Sequence, residues 1–159
     1  MFGRVRKWLG KGSIKMRLKS LKTYPEDIDT VNGDLEFVAK GNQTVTYIRI
    51  KLIEKYIRGR GENVEVNEYE LGRWVYDRPL EVISNVPYYL RFELPFALKK
   101  SNMDKLGDSN FLGRSIANLA KSFRGVRSTY RLEAEAIVTG FDSPIADRRK
   151  INFGKIEIV

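Results

Sequence analysis

The sequence feature that most limits the fold is a run of alternating side chains between Thr44 and Ile57. These fourteen residues contain no glycine or proline, and an apolar side chain stands at nearly every second position. A period of two is typical of a β-strand with one buried face and one solvated face. The same alternation returns in residues 88–94 and 130–138, so the chain is predicted to be all β. The inner face of the first run is predicted to carry Thr46, Ile48, Ile50, Leu52 and Tyr56.

Length and composition limit the class of protein. At 159 residues the chain fits a single domain spanning 1–159, and a hydrophobic fraction of 42% can build a core without disulfides or a metal. It contains no cysteine, which excludes disulfide bridges and thiol chemistry. The lack of cysteine and of an apolar leader segment predicts a cytoplasmic protein.

The positive charge is concentrated at the N-terminus. The net charge is +9, and the first 22 residues hold eight basic side chains and no acidic one. Such asymmetry predicts an anionic partner surface, which phospholipid, a phosphoprotein, an acidic protein patch or nucleic acid would each provide. The alternative is a solvated basic end without a dedicated partner. The residues that we assign to anionic-partner binding are Arg4, Arg6, Lys7, Lys15, Arg17 and Lys19.

The remaining periodicity divides the chain into short strands and one helical segment. Further strands are predicted over 13–21, 30–40, 63–71, 80–83, 88–94, 130–138 and 150–159, with a loop over 140–147. Between residues 102 and 123 the apolar spacing lengthens, which predicts a helix over 109–123 within an insertion of about 101–124. A short helix is also predicted within residues 2–9. Many short strands with one central helix predict an immunoglobulin-like antiparallel β-sandwich.

Side chains suited to catalysis are sparse. The chain has no histidine, which removes the commonest general base and the commonest zinc and iron ligand. Glu133 and Glu135 stand two apart on one predicted strand, roughly 7 Å between α-carbons, a separation within the range that glycosidases use. Their alternation with Arg131 instead favours a solvated outer face. We therefore predict a protein without enzymatic activity or a cofactor.

Four acidic residues before and within the second predicted strand have two interpretations, a calcium site or a polar turn. Glu26, Asp27, Asp29 and Asp34 offer the oxygen ligands that Ca²⁺ prefers. Their spacing lacks the repeated acidic loop and distal glutamate of the EF-hand. A polar turn is the favoured interpretation, and no metal site is assigned.

The predicted helix over 109–123 has two interpretations. Its apolar side can cover one end of the sandwich, or it can dock on an anionic membrane or in a partner groove. The residues that would form the docking surface are Leu112, Arg114, Ile116, Leu119 and Phe123.

Nucleic-acid binding is the alternative function for the basic surface. Tyr47 and Tyr89 stand near Arg49 and Arg91, and would form a stacking platform if they lay on one sheet face. The sequence contains no RNA-recognition motif or recognition helix, and tyrosine–arginine pairs also stabilise ordinary sheets.

Five segments resemble a known family in their order along the chain. They read MFGRVRKWLGKGSIKMRL, VNGDLEFVAKG, VTYIRIKLIEKY, VPYYLRFELPFAL and TYRLEAEAIVTGF. In this order they resemble the sporulation-control family of arrestin-like bacterial proteins. A Phe-x-x-Pro strand end, here Phe92 to Pro95, is similar to that of the family, and the aromatic residue followed by Leu-Glu-Ala-Glu is similar to its strongest signature. The resemblance covers nearly the whole chain.

The resemblance implies an arrestin-like β-sandwich that acts as an adaptor or regulatory scaffold without catalytic activity. In arrestins, basic residues on the first strand meet phosphates, and Lys15, Arg17 and Lys19 occupy the corresponding strand here. We accordingly expect protein partners at the edges of the sandwich, including a second copy of this chain through edge-strand pairing.

Overall fold

Nine strands make up the part of the chain that the structure, a computed structural model, describes: residues 13–59, 61–97 and 126–154. In chain order they are β1 (Ile14–Ser20), β2 (Thr23–Tyr24), β3 (Thr30–Ala39), β4 (Gln43–Arg58), β5 (Glu65–Tyr76), β6 (Leu80–Val82), β7 (Tyr88–Pro95), β8 (Val126–Val138) and β9 (Ile145–Phe153). These three ranges contain no helix. The prediction of an all-β chain is therefore confirmed for them.

The predicted helices over 2–9 and 109–123, with the insertion over 101–124, lie outside the described residues. The same holds for the site residues Arg4, Arg6, Lys7, Leu112, Arg114, Ile116, Leu119 and Phe123. Within the described ranges, no helix is long and apolar enough to cross a membrane.

The strands form two sheets. The smaller sheet has the order β1-β3-β7, and the larger has the order β2-β9-β8-β4-β5, with β6 paired to the start of β4. The strands pair antiparallel except in β2–β9, where Thr23 and Tyr24 run parallel to Asn152 and Phe153. The purely antiparallel sandwich predicted from sequence is therefore wrong at this pair, because a two-residue strand is too short to show a period of two.

The two sheets enclose a core built from the alternating apolar residues. Each such side chain contributes roughly 1.5–3 kcal/mol when it moves from water to the interior. Three inner residues predicted for β4, Ile48, Ile50 and Leu52, are fully buried, and Tyr56 is nearly so. The other large core side chains come from both sheets and include Leu18, Leu35, Phe37, Phe92, Leu94, Leu132 and Ile151.

One residue predicted for the inner face of β4, Thr46, is exposed. The pairing of β4 with β8 shifts between Val45, opposite Val138, and Tyr47, opposite Ile137. Thr46 is the extra residue of this β-bulge, so Val45 takes the buried position. The Thr46 hydroxyl donates to the Ile137 carbonyl at 3.3 Å. A bulge reverses the alternation locally, and the side-chain pattern alone does not reveal it.

Glu54 of β4 points into the sandwich, as the alternation of the strand requires. Its carboxylate accepts hydrogen bonds from the Ser128 hydroxyl at 2.6 Å and the Tyr130 hydroxyl at 3.3 Å, both on β8. These hydroxyls replace water around a buried carboxylate. Burial, and then the charge of Glu54, raise the pKa of Tyr130. The Tyr130 ring also packs edge-on against Phe153, with centroids 5.1 Å apart.

The last strand, β9, begins earlier than predicted, and residues 155–159 of the predicted strand lie outside the described residues. It runs from Ile145 to Phe153, whereas the sequence predicts a loop over 140–147 and a strand over 150–159. The prediction is wrong because Asp147 stands where the alternation calls for an apolar residue. Its position has a structural reason, since its Oδ2 accepts the backbone N–H of Leu18 on β1 at 2.8 Å.

Two contacts close the sides of the sandwich. On one side, Gly72 of β5 forms an isolated bridge with Phe96, the residue after β7. On the other side, the Leu18–Asp147 hydrogen bond joins β1 to β9. We call these contacts the β5–β7 seam and the β1–β9 seam. Both cover strand edges that would otherwise be open to pairing with another chain.

Candidate partner-binding surfaces

Three of the residues predicted to bind an anionic partner, Lys15, Arg17 and Lys19, lie on β1. They alternate with buried residues and point to solvent from the outer face of the three-stranded sheet. The strand pattern therefore places them side by side on one exposed face.

The neighbouring strand β3 places acidic residues beside this basic strip. In register, Arg17 lies opposite Glu36, and Lys19 lies opposite Asp34. The Lys19 ammonium is 3.4 Å from the Glu36 carboxylate and 5.5 Å from the centre of the Tyr89 ring. A hydrogen bond from Tyr89, with a smaller contribution from Lys19, lowers the pKa of Glu36. The strip is less positive than its sequence indicates, because carboxylates on the paired strand balance part of its charge.

The two tyrosines considered for nucleic-acid stacking are divided between the sheets. Tyr47 and Arg49 lie on β4 of the larger sheet, whereas Tyr89 and Arg91 lie on β7 of the smaller sheet. Both pairs point away from the core, so they occupy opposite outer faces. Arg49 is in addition paired with Glu135, with 2.8 Å between the guanidinium nitrogen and the carboxylate oxygen. The condition for a shared stacking platform is therefore not met.

Glu133 and Glu135 lie on the outer face of β8, among basic side chains. The Glu133 carboxylate is 2.7 Å from Nε of Arg131 and 3.9 Å from a guanidinium nitrogen of Arg148. Glu135 pairs with Arg49. Both carboxylates thus belong to ion pairs on a solvated sheet surface.

The acidic residues considered for calcium lie near the start of β3 and within it. Asp29 accepts a hydrogen bond from the Thr30 hydroxyl at 3.1 Å. In the part of the chain that the structure describes, no three acidic side chains are grouped so that they could hold a metal ion.

An ion-pair network crosses the outer face of the larger sheet. Arg131 on β8 reaches Glu68 on β5, two strands away, with 2.7 Å between nitrogen and oxygen, while it also holds Glu133. The hydrogen bond between them raises the pKa of Arg131 and lowers the pKa of Glu68. Such pairs depend on the strand order β8-β4-β5, which sequence spacing does not show.

Replacement of Arg131 by methionine is expected to remove an acid-sensitive part of the stability. The pKa of Glu68 lies below the ordinary glutamate value of about 4.3. The stabilisation that the ionised Glu68 carboxylate gives to the folded state is therefore fully present above that value, and it is lost as the pH falls through the lowered pKa. Because the pair is largely exposed, we expect a difference of at most about 1 kcal/mol. Thermal unfolding of both proteins between neutral pH and about pH 3 measures it.

Arg148→Met is the matched control for this prediction, because the Arg148 side chain is 75% exposed and its contact with Glu133 is long. The control should depart from the wild-type pH curve by less than Arg131→Met does, because Arg148 contributes least to the lowered pKa of Glu68. If the stability difference between wild type and Arg131→Met stayed constant from neutral pH to about pH 3, the proposed role of the network would be contradicted.

Half of the outer edge of β5 has no strand partner among the described residues. β5 is the last strand of the larger sheet and pairs with β4 on one side. On its other side the β5–β7 seam is centred on Gly72, so residues 65–70 extend beyond it. Val64 and Val66 at this edge are 44% and 50% exposed. This edge therefore offers backbone donors and acceptors, together with apolar side chains, to an added strand.

These two layers, with their seams and strand order, define the class of fold as a β-sandwich of the arrestin-like kind. No protein-family model matches the chain, and no curated protein matches it significantly. Among solved structures, the chain is similar to Spo0M, the sporulation control protein of Bacillus subtilis, with a TM-score of 0.57 and 12% sequence identity. The similarity covers 93% of this chain and 51% of that one, so the chain spans about half the length of Spo0M. The arrestin-like fold predicted from the sequence is confirmed, and at this identity the similarity shows the fold alone.

Proposed function

We propose that this protein is a non-catalytic adaptor that binds an extended segment of a partner along the outer edge of β5. The observation that supports the proposal is the edge of residues 65–70, which has no strand partner among the described residues, in a sandwich whose sides otherwise meet at two seams. In strand addition, main-chain hydrogen bonds provide affinity and the alternating side chains provide specificity. A regulatory role also agrees with that of Spo0M, which is a sporulation control protein.

The side chains at this edge indicate the chemistry of the partner. Val64 and Val66 offer apolar contact, and Glu62 and Glu65 are exposed beside them. Side chains directly opposite on an added strand lie close enough to pair with these residues. The favoured partner is therefore an extended segment in which apolar residues alternate with lysine or arginine.

The proposal covers the whole chain as one cytoplasmic domain, 1–159. Lys15, Arg17 and Lys19, which continue the basic N-terminal segment, add attraction to an acidic surface. A second copy of this chain is one candidate donor of the added strand, which would give a homodimer.

Site-specific photo-crosslinking in cells of the source organism tests the edge. A photoreactive phenylalanine replaces Val66 at the open edge or, as the matched control, Val75. Val75 lies on the same strand and is similarly exposed at 44%, but it stands past the β5–β7 seam. We expect a discrete covalent adduct at position 66 and none at position 75. Mass spectrometry of the adduct identifies the cross-linked peptide and distinguishes a second copy from another protein.

An adduct of equal yield at both positions would contradict edge binding, and so would the lack of any adduct at position 66. An adduct whose peptide maps to a helix rather than an extended segment would likewise contradict strand addition.

A further inference from the structure

The last strand, β9, carries three consecutive basic side chains, Arg148, Arg149 and Lys150, and all three are exposed. Successive side chains of a strand point to opposite faces of the sheet. Arg148 and Lys150 therefore extend from the outer face of the larger sheet, whereas Arg149 extends on the other side of β9, toward the margin that the two layers share. Positive charge is thus presented in two directions at this margin of the sandwich.

The chain that leads from β1 to β2 runs alongside this basic cluster. The Leu18 N–H donates to the Asp147 carboxylate at 2.8 Å, and the Asn152 N–H donates to the Lys22 carbonyl at 2.8 Å. Between these two contacts the chain follows β9 in the same direction, so Leu21 and Lys22 lie beside the cluster. Lys22 adds a fourth exposed cation, and Leu21, which is 53% exposed, adds an apolar side chain. We call these five residues the β9 patch: Leu21, Lys22, Arg148, Arg149 and Lys150.

The charges of the β9 patch are less neutralised than those of the basic strip on β1, which has acidic residues of β3 beside it. In the part of the chain that the structure describes, three of the four cations form no ion pair, and the fourth, Arg148, reaches Glu133 only at 3.9 Å. Glu133 is held more closely by Arg131, at 2.7 Å. The carboxylate of Asp147, on the same strand, is engaged by the Leu18 N–H. The patch therefore keeps most of its positive charge for a partner.

From this arrangement we propose that the β9 patch binds an acidic segment of a partner protein. Aspartate and glutamate side chains match its arginines, because a guanidinium group pairs with a carboxylate through two parallel hydrogen bonds. Lys22 and Lys150 add attraction without a fixed geometry. Leu21 offers contact to an apolar side chain, and its burial adds affinity that charge alone does not provide. The partner is therefore a segment in which acidic residues flank an apolar one.

The geometry favours a protein segment over a lipid bilayer or a nucleic acid. Arg149 and Lys150 point to opposite sides of β9, so a flat lipid surface cannot face both. Proteins that bind single-stranded nucleic acid combine cations with aromatic side chains on which the bases stack, and the five residues of the β9 patch include no aromatic one. Because the β1–β9 seam covers the strand edges here, the segment binds through its side chains rather than as an added strand.

The β9 patch is separate from the open edge of β5. Strands β8 and β4 lie between β9 and β5 in the larger sheet, so roughly 14 Å separates the two strands. The proposal therefore does not depend on strand addition at β5, and either one can fail without the other. With both surfaces, the protein would hold two segments at once, as an adaptor does.

Fluorescence anisotropy of the full chain with two labelled peptides tests the proposal. The leucine probe repeats the unit Glu-Leu-Glu-Asp, and the serine probe repeats Glu-Ser-Glu-Asp. The wild type should bind the leucine probe more tightly than the serine probe, and both affinities should fall as salt is added. The variant R148Q/R149Q/K150Q should bind the leucine probe about tenfold more weakly or worse. Its urea unfolding curve should be unchanged, because the three side chains are exposed.

Two further variants make the result specific. K15Q/R17Q/K19Q removes the same number of cations from the basic strip on β1. It should weaken binding by less than about threefold, because acidic residues of β3 already lie beside these side chains. L21S should weaken binding of the leucine probe about fivefold and leave the affinity for the serine probe unchanged.

Three results with the peptides would each overturn the proposal: wild-type affinity in R148Q/R149Q/K150Q, an equal loss in K15Q/R17Q/K19Q, or no preference of the wild type for the leucine probe. A labelled single-stranded oligonucleotide and phosphatidylglycerol vesicles are measured alongside. If R148Q/R149Q/K150Q weakened binding to either of them more than binding to the leucine probe, the β9 patch would be a nucleic-acid or lipid site instead.

Discussion

Gly72→Ala is expected to lower the free energy of unfolding by about 2–3 kcal/mol, the upper part of the range for overpacking. A Cβ at this position would overlap the Pro95 carbonyl oxygen and would lie 2.8 Å from a methyl group of Leu94. The obstacle is largely backbone, so it cannot turn aside as the end of a long side chain would. The strands must therefore separate, and the hydrogen bond from the Ala97 N–H to the Leu71 carbonyl at 3.1 Å is strained with them.

Urea unfolding followed by tryptophan fluorescence measures this effect, with Gly154→Ala as the control. A Cβ on Gly154 would meet only a Thr23 methyl group at 3.9 Å. The control should be neutral or slightly more stable, because alanine restricts the unfolded chain. Equal stability of the Gly72→Ala and Gly154→Ala proteins would show that the close approach of β5 and β7 contributes little. If the prediction holds, the variant should also aggregate more readily, since a second strand edge becomes open.

Asp147→Ala is expected to cost about 1–3 kcal/mol of folding free energy. The substitution leaves the partly buried Leu18 N–H without the carboxylate that accepts it at 2.8 Å. This loss is larger than that of a typical exposed hydrogen bond, because water reaches the strand edge poorly once β9 lies against it. Thermal or urea unfolding of the purified chain gives the difference directly.

Asp147→Asn separates the hydrogen bond from general effects of the substitution. The asparagine side chain keeps an oxygen that can accept the Leu18 N–H, so it should retain more than half of the lost stability. Asp142→Ala, an exposed position in the preceding loop, should change stability by less than about 0.5 kcal/mol. If Asp147→Ala were no more destabilising than Asp142→Ala, the β1–β9 seam would not depend on this carboxylate.

The strands were predictable where burial alone decides the side-chain pattern. β4 follows its alternation because every second residue, from Ile48 to Leu52, packs between the sheets. The pattern misleads where a backbone or polar interaction replaces packing. Thr46 is displaced by a bulge, and Asp147 occupies an inward position because its partner is a backbone N–H more than a hundred residues away in sequence.

The candidate surfaces were predictable in part. Alternation was enough to place Lys15, Arg17 and Lys19 on one exposed face of β1. Asp34 and Glu36, which partly neutralise them, are brought beside them by the β1–β3 register. A count of charges in the sequence could not predict this placement.

The sequence does not predict the open edge of β5, because that edge depends on which strand lies at the border of each sheet. Its one sequence signal is the pair Val64 and Val66, apolar residues placed within a glutamate-rich segment.

The two seams also bear on the stoichiometry of self-assembly. A sheet protein with two unprotected margins can recruit one neighbour on each and grow into a fibre, whereas one with a single available margin is capped after the first union. Within residues 13–59, 61–97 and 126–154, β5 presents an unpaired margin beyond its seam, while the outer sides of β1 and β7 meet the facing sheet at the two seams. Self-pairing that used this margin of β5 alone would therefore stop at two copies, and a foreign strand bound at the same place would compete with that pairing.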